Sequence, residues 1–140
     1  MEKKVNGKMW FLRIAMTYLG TPYVWGGDDP SGFDCSGYVI ECLKSAGLVG
    51  ERDDYSADGL LKLFEDKIVE RPVKGGLLFY LNERGRAVHV TICLDEHFQI
   101  GASGGSSSTK DVGSAWRDNA FVKIRPIRFD AKKMKIVDLF

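Results

Sequence analysis

The order of two hydrophobic patterns along the chain constrains its fold most strongly. In the first half, apolar residues recur at helical spacing, which predicts helices over Lys8 to Leu19, over Cys35 to Ala46 and from near Ser56. After residue 70 the pattern changes to runs rich in Val, Ile and Phe, which predict strands in GGLLFYL, AVHVTICL, HFQIGAS and AFVKIRPIRF. We therefore expect an α+β fold, with N-terminal helices packed on one face of a mostly antiparallel sheet.

Capping and turn residues predict where several of these elements begin and end. Asp34 is placed to cap the second helix, and Gly47 is placed to end it. The dipeptide Asp95-Glu96 suits a tight hairpin between two strands. Pro126 should put the last strand at a sheet edge or a bulge, because proline cannot donate to a neighbouring strand. The segment SGGSSSTKD has the composition of a flexible surface loop.

Length and composition favour one domain that acts on a discrete substrate. A chain of 140 residues can bury a core by itself, so we expect residues 1–140 to form a single domain. The 20 Lys and Arg residues nearly balance the 19 Asp and Glu residues, which indicates neither nucleic acid nor a membrane as partner. The three cysteines lack the C-x₂-C spacing of a zinc site, so we expect reduced thiols. As a separate prediction, we expect neither a metal nor another cofactor.

The apolar run MWFLRIAMTYL near the N-terminus resembles neither a signal peptide nor a membrane span. Arg13 interrupts it, and no small-residue cleavage site follows. The run is also too short to cross a bilayer. We therefore predict synthesis in the cytoplasm without a signal peptide.

One cysteine stands at the predicted start of a helix. There Cys35 would meet unsatisfied backbone N–H groups and the positive end of the helix dipole, which both favour a thiolate nucleophile. The same N–H groups could receive the charge that develops on a carbonyl oxygen under attack. From the residues alone, a buried inert thiol is an equally good interpretation. Cys42, on the helix stripe, and Cys93, inside a strand, fit the buried role much better.

A cysteine nucleophile needs a general base, and histidine is the usual one. The chain has two. His97 falls in or next to the hairpin turn, whereas His89 lies inside a strand that can fix its ring, so we favour His89. Alternation puts His89 and Thr91 on one strand face and Val88 and Val90 on the other; if the valines pack in the core, His89 faces the helices. A strand histidine that bonds a backbone carbonyl fits the spacing equally well.

The base in turn needs a group that orients its far nitrogen. The following strand, HFQIGAS, places Gln99, Gly101 and Ser103 on one face. Gly101 has no side chain to offer. Gln99 is therefore the first choice as the orienting catalytic residue, followed by Ser103, His97 or a water molecule.

Four stretches together resemble the NlpC family of papain-like bacterial cell-wall cysteine peptidases, over about Tyr18 to Ser103: YLGTPYVWGG, SGFDCSGYV, GGLLFY and AVHVTICL. The resemblance implies a papain-like fold with the nucleophile at the start of the central helix. It also implies hydrolysis, through a thioester acyl-enzyme, of peptidoglycan stem peptides at the amide that joins γ-D-glutamate to a diamino acid.

The resemblance also implies roles for individual residues. Cys35 matches the nucleophile and His89 the base. Tyr23 in PYVWGG matches a tyrosine that binds substrate or assists at the oxyanion, and Asp34 and Ser36 flank the cysteine as in the family motif. The third catalytic position departs from the family, because an ungapped count from the base falls on a glycine. Either Gln99 replaces that residue, or a water molecule or backbone carbonyl does.

Other functions on the same fold stay open at this point. They are an N-acetylmuramoyl-L-alanine amidase, an acyltransferase, and a non-catalytic module for binding or assembly. A chain made in the cytoplasm whose substrate lies in the cell wall also predicts a phage lysin or tail-associated peptidase, or an effector secreted by another route.

Overall fold

The computed structural model, which describes residues 2–29, 32–106 and 108–140, places most helices before the sheet. The helices are α1 (Glu2–Thr17), α2 (Cys35–Ser45), α3 (Ala57–Leu63) and α4 (Val112–Asp118), with a short 3-10 helix at Glu65–Lys67. The strands are β1 (Asp28–Asp29), β2 (Gly32–Phe33), β3 (Ile68–Val69), β4 (Leu77–Leu81), β5 (Ala87–Cys93), β6 (Phe98–Ser103), β7 (Phe121–Pro126) and β8 (Met134–Val137).

Side-chain caps start the two central helices where the sequence predicts. The carboxylate of Asp34 accepts the backbone N–H of Gly37 at 2.7 Å, which satisfies one free donor at the start of α2. The hydroxyl of Ser56 accepts the N–H of Gly59 at 3.0 Å at the start of α3. Gly47, with φ of +74°, follows the end of α2 in the left-handed conformation that glycine adopts most easily. These predictions are confirmed.

The main sheet has six strands in the order β3-β8-β4-β5-β6-β7, and every neighbouring pair is antiparallel. Strands β4 to β7 coincide with the four predicted runs. The hairpin between β5 and β6 is also confirmed, since Asp95 accepts the N–H groups of His97 and Phe98 at 2.7 and 2.8 Å. Pro126 ends the edge strand β7, as expected.

The main core lies between one face of this sheet and the helices. Fully buried side chains from both layers form it: Phe11 from α1, Tyr38 and Leu43 from α2, Leu60 from α3, and Phe79, Val90, Ile92, Ile100 and Val122 from the sheet. The Tyr38 hydroxyl also donates to the Ala15 carbonyl at 2.8 Å, which fixes α2 against α1. The α+β class, with N-terminal helices on one sheet face, is therefore confirmed.

Cys42 and Cys93 are buried structural thiols, as the sequence predicts. Cys42 lies in the main core, and Cys93 packs with Leu78 and Ile136 on the opposite sheet face. Burial raises the pKa of Cys93 to about 12, so this thiol is neutral at physiological pH. Within the described residues, none of the helices combines the length and the apolar character that crossing a membrane requires.

A bulge in β5 breaks the predicted alternation. Tyr80 on β4 pairs with His89, but Leu81 pairs with Ala87, so Val88 is an extra residue in the ladder. Val88 is 59% exposed, whereas Val90 is fully buried against the helices. The prediction of one continuous valine face is therefore wrong at Val88, because it assumed an unbroken strand. The expectation that His89 faces the helices when the valines pack in the core is also wrong, since Val90 packs toward the helices and the His89 ring packs against Tyr80, which belongs to the cluster on the opposite sheet face.

The segment predicted as a flexible loop is anchored in its described part; Ser107 lies outside the described residues. Thr109 is fully buried, and its hydroxyl donates to Asp118 at 2.8 Å and accepts the N–H of Ser106 at 3.1 Å. Its carbonyl accepts the N–H of Trp25 at 2.7 Å. These bonds correct the prediction of a flexible loop and attach the segment to the chain that precedes α2.

Candidate active site

A cleft of about 570 Å³ opens where the start of α2 meets strands β5 to β7. Its lining includes the predicted nucleophile Cys35, the predicted base His89, and the substrate or oxyanion candidates Tyr23, Asp34 and Ser36. Ser103 from β6 also lines it. The structure therefore brings five of the six predicted site residues to one cleft, and the sixth, Gln99, lies outside its lining.

The Cys35 thiol lies beside β5, next to the position of the predicted base. Burial raises the pKa of this thiol and is the largest effect, and the charge of Asp34 acts in the same direction. The backbone N–H groups of Val90, Ser36 and Cys35 itself point at the sulfur and lower its pKa by a smaller amount. The helix start thus favours the thiolate as predicted, but burial outweighs it, so the resting thiol is neutral.

The His89 imidazole is partly buried and is neutral in the resting protein. Burial lowers the pKa of His89 to about 4, and the positive charge of Arg125 acts in the same direction. The ring of Tyr80 packs against the imidazole, with centroids 5.3 Å apart and planes tilted by 48°. A neutral imidazole near neutral pH can accept a proton, which a general base must do.

Ser103 is the residue that meets the far side of the imidazole. Its Oγ lies 3.5 Å from His89 Nε2, a long contact at the limit of a hydrogen bond. Strand register explains the placement. Cys93 pairs with Gln99, so continuing this antiparallel register puts His89 opposite Ser103. The contact occupies Nε2 and leaves Nδ1 for proton transfer.

Gln99 lies on the predicted face but makes other hydrogen bonds. Its Oε1 accepts the hydroxyls of Tyr80 at 2.7 Å and Thr91 at 2.8 Å, and its Nε2 donates to the Pro126 carbonyl at 3.0 Å. The expectation that Gln99 hydrogen-bonds His89 is therefore wrong. Gln99 reaches the imidazole through the ring of Tyr80, and its part in catalysis stays a prediction.

The position that the family resemblance gives to the third catalytic residue is closed. A Cβ on Gly101 would lie 2.6 Å from Thr91 Cγ2 and 3.1 Å from Thr91 Cβ. Thr91 therefore occupies the space that a side chain at residue 101 would need. The other candidate for the third position, His97, is exposed in the hairpin turn and lines a different cavity with Glu70.

Tyr23 is a fixed hydrogen-bond donor beside the thiol. It is 5% exposed, and burial raises its pKa to about 12, with smaller contributions from Cys35 and Asp34. The phenol is therefore protonated at neutral pH. Its ring packs directly on Gly105, where any Cβ would overlap the ring. This placement suits the predicted role at the oxyanion, which stays a prediction.

The Asp-Cys-Ser-Gly stretch has a local physical explanation. Asp34 caps the helix and also accepts the Ser36 hydroxyl at 3.4 Å. Burial raises the pKa of Asp34, while its hydrogen bonds from Gly37 and Ser36 oppose the rise. A Cβ on Gly37 would overlap the carbonyl oxygen of Gly27, so glycine lets the helix approach that segment. Any direct role of Asp34 or Ser36 in substrate binding stays a prediction.

Two residues around the base, Arg125 and Tyr80, were not predicted from the sequence. Arg125 pairs with Gln99 across β6 and β7, so aligning the two predicted strands was the signal that could have found it. Tyr80 pairs with His89 across β4 and β5. Among the described residues, no three His, Cys, Asp or Glu side chains are grouped so that they could hold a metal ion.

Comparison with known proteins decides the family. The sequence model of the NlpC/P60 family matches residues 20–125, which include Cys35 and His89. The chain belongs to the NlpC/P60 family. The predicted resemblance is thereby confirmed.

Individual relatives agree with this assignment. The bifunctional muramidase/DL-endopeptidase CwlT of Bacillus subtilis is 32% identical over 125 residues, which are 84% of this chain and 37% of CwlT. The gamma-D-glutamyl-L-lysine dipeptidyl-peptidase of Bacillus cereus is 39% identical over 75 residues, which are 51% of this chain and 21% of that protein. This NlpC/P60 chain thus spans less than two fifths of either relative.

A solved structure confirms the papain-like fold. The P60 domain of a Mycobacterium avium subspecies paratuberculosis antigen superposes with a TM-score of 0.69 and is 20% identical. The match covers 99% of this chain and 98% of that domain. The whole described arrangement of helices and sheet is therefore an NlpC/P60 fold.

Proposed function

We propose that this NlpC/P60 chain is a cysteine endopeptidase that hydrolyses peptidoglycan stem peptides at the amide between γ-D-glutamate and a diamino acid. The observation that carries the proposal is that Cys35, at the start of α2, and His89, on β5, line one cleft. The names of the Bacillus cereus and Bacillus subtilis relatives support this bond. Such a substrate puts the site of action in the cell wall.

Acylation starts from a neutral thiol and a neutral imidazole. As the Cys35 sulfur bonds to the amide carbonyl carbon, its proton passes to His89 and the carbonyl electrons move to the oxygen. The backbone N–H of Cys35 and the Tyr23 hydroxyl stabilise this oxyanion. The protonated tyrosine can donate throughout, because its pKa is about 12.

Breakdown of the tetrahedral intermediate completes the reaction. The C–N bond breaks as His89 gives its proton to the leaving amine, which produces a thioester on Cys35. Water then attacks the thioester while His89 accepts its proton, the C–S bond breaks as His89 returns that proton to the Cys35 sulfur, and the product leaves as the γ-carboxylic acid, which ionises in solvent. Ser103 orients the imidazole through its contact with Nε2, and Gln99 supports the ring from behind through Tyr80.

A non-catalytic binding module is the second candidate. The observation that favours it is the closed position at Gly101, where Thr91 excludes any orienting side chain. The observation against it is that Cys35 and His89 are both present in the cleft, with Ser103 at the imidazole. We therefore place catalysis first.

Defined muropeptides and mass spectrometry test the proposal. Purified protein should release a γ-D-glutamate carboxylate and a diamino acid amine, and Cys35→Ala and His89→Ala should both abolish this release. His97→Ala is the matched control, because this exposed histidine lies in the hairpin turn. Cleavage between muramic acid and L-alanine would instead identify an amidase. Binding without cleavage by the wild type would identify the non-catalytic module.

A further inference from the structure

A second cavity, of about 370 Å³, adjoins the catalytic cleft on the far side of the base. His89, Ser103 and Arg125 line both cavities, so the two meet at the imidazole. Beyond this junction the second cavity continues along Gln99 and Arg128. We call this second cavity the basic groove.

The basic groove carries positive charge that the described protein does not neutralise. Arg125 and Arg128 are exposed in it, and its lining includes no acidic side chain. The ion pairs among the described residues use other cations: Lys62 and Arg86 with Asp58, and Arg117 with Asp118. A guanidinium without a carboxylate partner, in a groove that continues a catalytic cleft, is suited to an anionic group of the substrate.

The two cavities that adjoin the catalytic cleft, one at the start of α2 and the other the basic groove, differ in charge. A smaller cavity at the start of α2, beyond the thiol, is lined by Asp34 and Asp54. The groove beyond His89 is basic instead. A peptide that crosses Cys35 therefore meets carboxylates on one side of the scissile bond and guanidinium groups on the other, which orients it.

The chemistry of the base supplies a reason for an anion at Arg125. His89 must take up a proton during acylation, and a positive charge beside the imidazole opposes this step. A substrate carboxylate bound to Arg125 would neutralise that charge when the reaction begins. The same contact would then serve both binding and proton transfer.

We propose that Arg125, assisted by Arg128, binds a substrate carboxylate on the leaving-group side of the scissile amide. This inference rests on the proposed function. His89 protonates the leaving amine, so the residue that carries this amine lies beside the imidazole, and Arg125, which lines both the cleft and the basic groove, is the cation near that position. A leaving diamino acid offers two carboxylates: the α-carboxylate where the stem peptide ends at that residue, and the side-chain carboxylate of diaminopimelate, which lysine lacks.

Matched peptides test the assignment and separate the two sources. Two peptides are used, L-Ala-γ-D-Glu-L-Lys and L-Ala-γ-D-Glu-diaminopimelate. Each is compared with its own derivative in which the α-carboxylate of the last residue is an amide. The diaminopimelate peptide is also compared with the derivative in which the side-chain carboxylate is an amide. Wild type should cleave the free acid about tenfold faster than the relevant amide, measured as kcat/KM. Loss on α-amidation identifies the terminal carboxylate, and loss on side-chain amidation identifies that of diaminopimelate.

Variants assign the preference to the groove. Arg125→Gln should lose the preference for the acid while it still cleaves the amide, and Arg125→Lys should retain part of it. Arg84→Gln, an exposed arginine in the turn between β4 and β5, is the control and should behave as wild type. Equal cleavage of acid and amide by wild type, or an unchanged preference in Arg125→Gln, would overturn the proposal.

Failure of the proposed function has a different signature, which is that wild type cleaves none of these peptides. Calorimetry with Cys35→Ala and the same peptides measures the preference for the carboxylate as a difference in affinity, without turnover. Tighter binding of the acid than of the amide, lost in Cys35→Ala/Arg125→Gln, supports the inference even then. Equal binding of acid and amide overturns it.

Discussion

Acid should destabilise this protein through its catalytic base before most carboxylates titrate. Burial lowers the pKa of His89 from 6.5 to about 4 in the folded state. Between these values His89 binds more protons in the unfolded chain than in the folded chain. Its contribution to the free energy of unfolding is therefore fully present above pH 6.5 and is lost as the pH drops toward 4. Since each pKa unit corresponds to about 1.4 kcal/mol, His89 should account for a loss of about 2 to 3 kcal/mol near the bottom of this window.

Urea unfolding at about pH 7.5 and about pH 4.5 measures this loss. His89→Gln removes the titrating group, so this variant should show a smaller difference between the two conditions, by about 2 to 3 kcal/mol. His97→Gln is the control and should keep the wild-type difference, because His97 is exposed. If wild type and His89→Gln lost the same stability on acidification, the burial argument for a neutral base would be refuted.

Two further substitutions probe the orientation of the base and the closed position beside it. Gly101→Ala should lower the free energy of unfolding, measured with urea, by about 1 to 3 kcal/mol, because its Cβ meets Thr91 Cγ2. The double variant Gly101→Ala/Thr91→Ser lacks that methyl group and should regain most of the lost stability. Ser103→Ala should lower kcat about tenfold with little change in KM in a muropeptide assay. Ser103→Thr keeps the hydroxyl and should recover part of the lost kcat. If Ser103 had a purely structural role, Ser103→Thr would not recover kcat.

Local signals were sufficient to predict most of the helices and the central strands. A capping side chain and an apolar stripe define α2 and α3, and alternating or continuous apolar runs define β4 to β7. The strand β8 escaped prediction, because its four residues, Met134–Val137, form a strand only through pairing with β3 and β4. Helix α4 has one buried residue, Ala115, and therefore no apolar stripe to reveal it.

The sequence predicted which face of a strand a site residue lies on, but not the register that sets which residues lie opposite one another. The predicted helix start pointed to Cys35, the strand pattern pointed to His89, and the family resemblance supported both; the structure places both in one cleft. Alternation also gave the correct face for Gln99 and Ser103, but it does not say which residue lies opposite the base. The pairing of Cys93 with Gln99 decides that point, and it depends on the geometry of the hairpin turn.

The state of the thiol could not be predicted from the sequence either. The position of Cys35 at a helix start is local and visible, and its N–H neighbours do lower the pKa. The larger, opposite effect is burial, which depends on how the helix packs against β5. The same is true of the imidazole, whose neutral state results from burial and from Arg125 on a distant strand.

Mass spectrometry of acid-quenched turnover shows whether substrate acylates Cys35. We expect protein stopped during hydrolysis of a stem peptide to carry the acyl part that ends in γ-D-glutamate, attached to Cys35 as a thioester. Cys35→Ala should show neither this adduct nor cleavage. Hydrolysis of the same amide by Cys35→Ala at the wild-type rate would show that Cys35 is not the nucleophile.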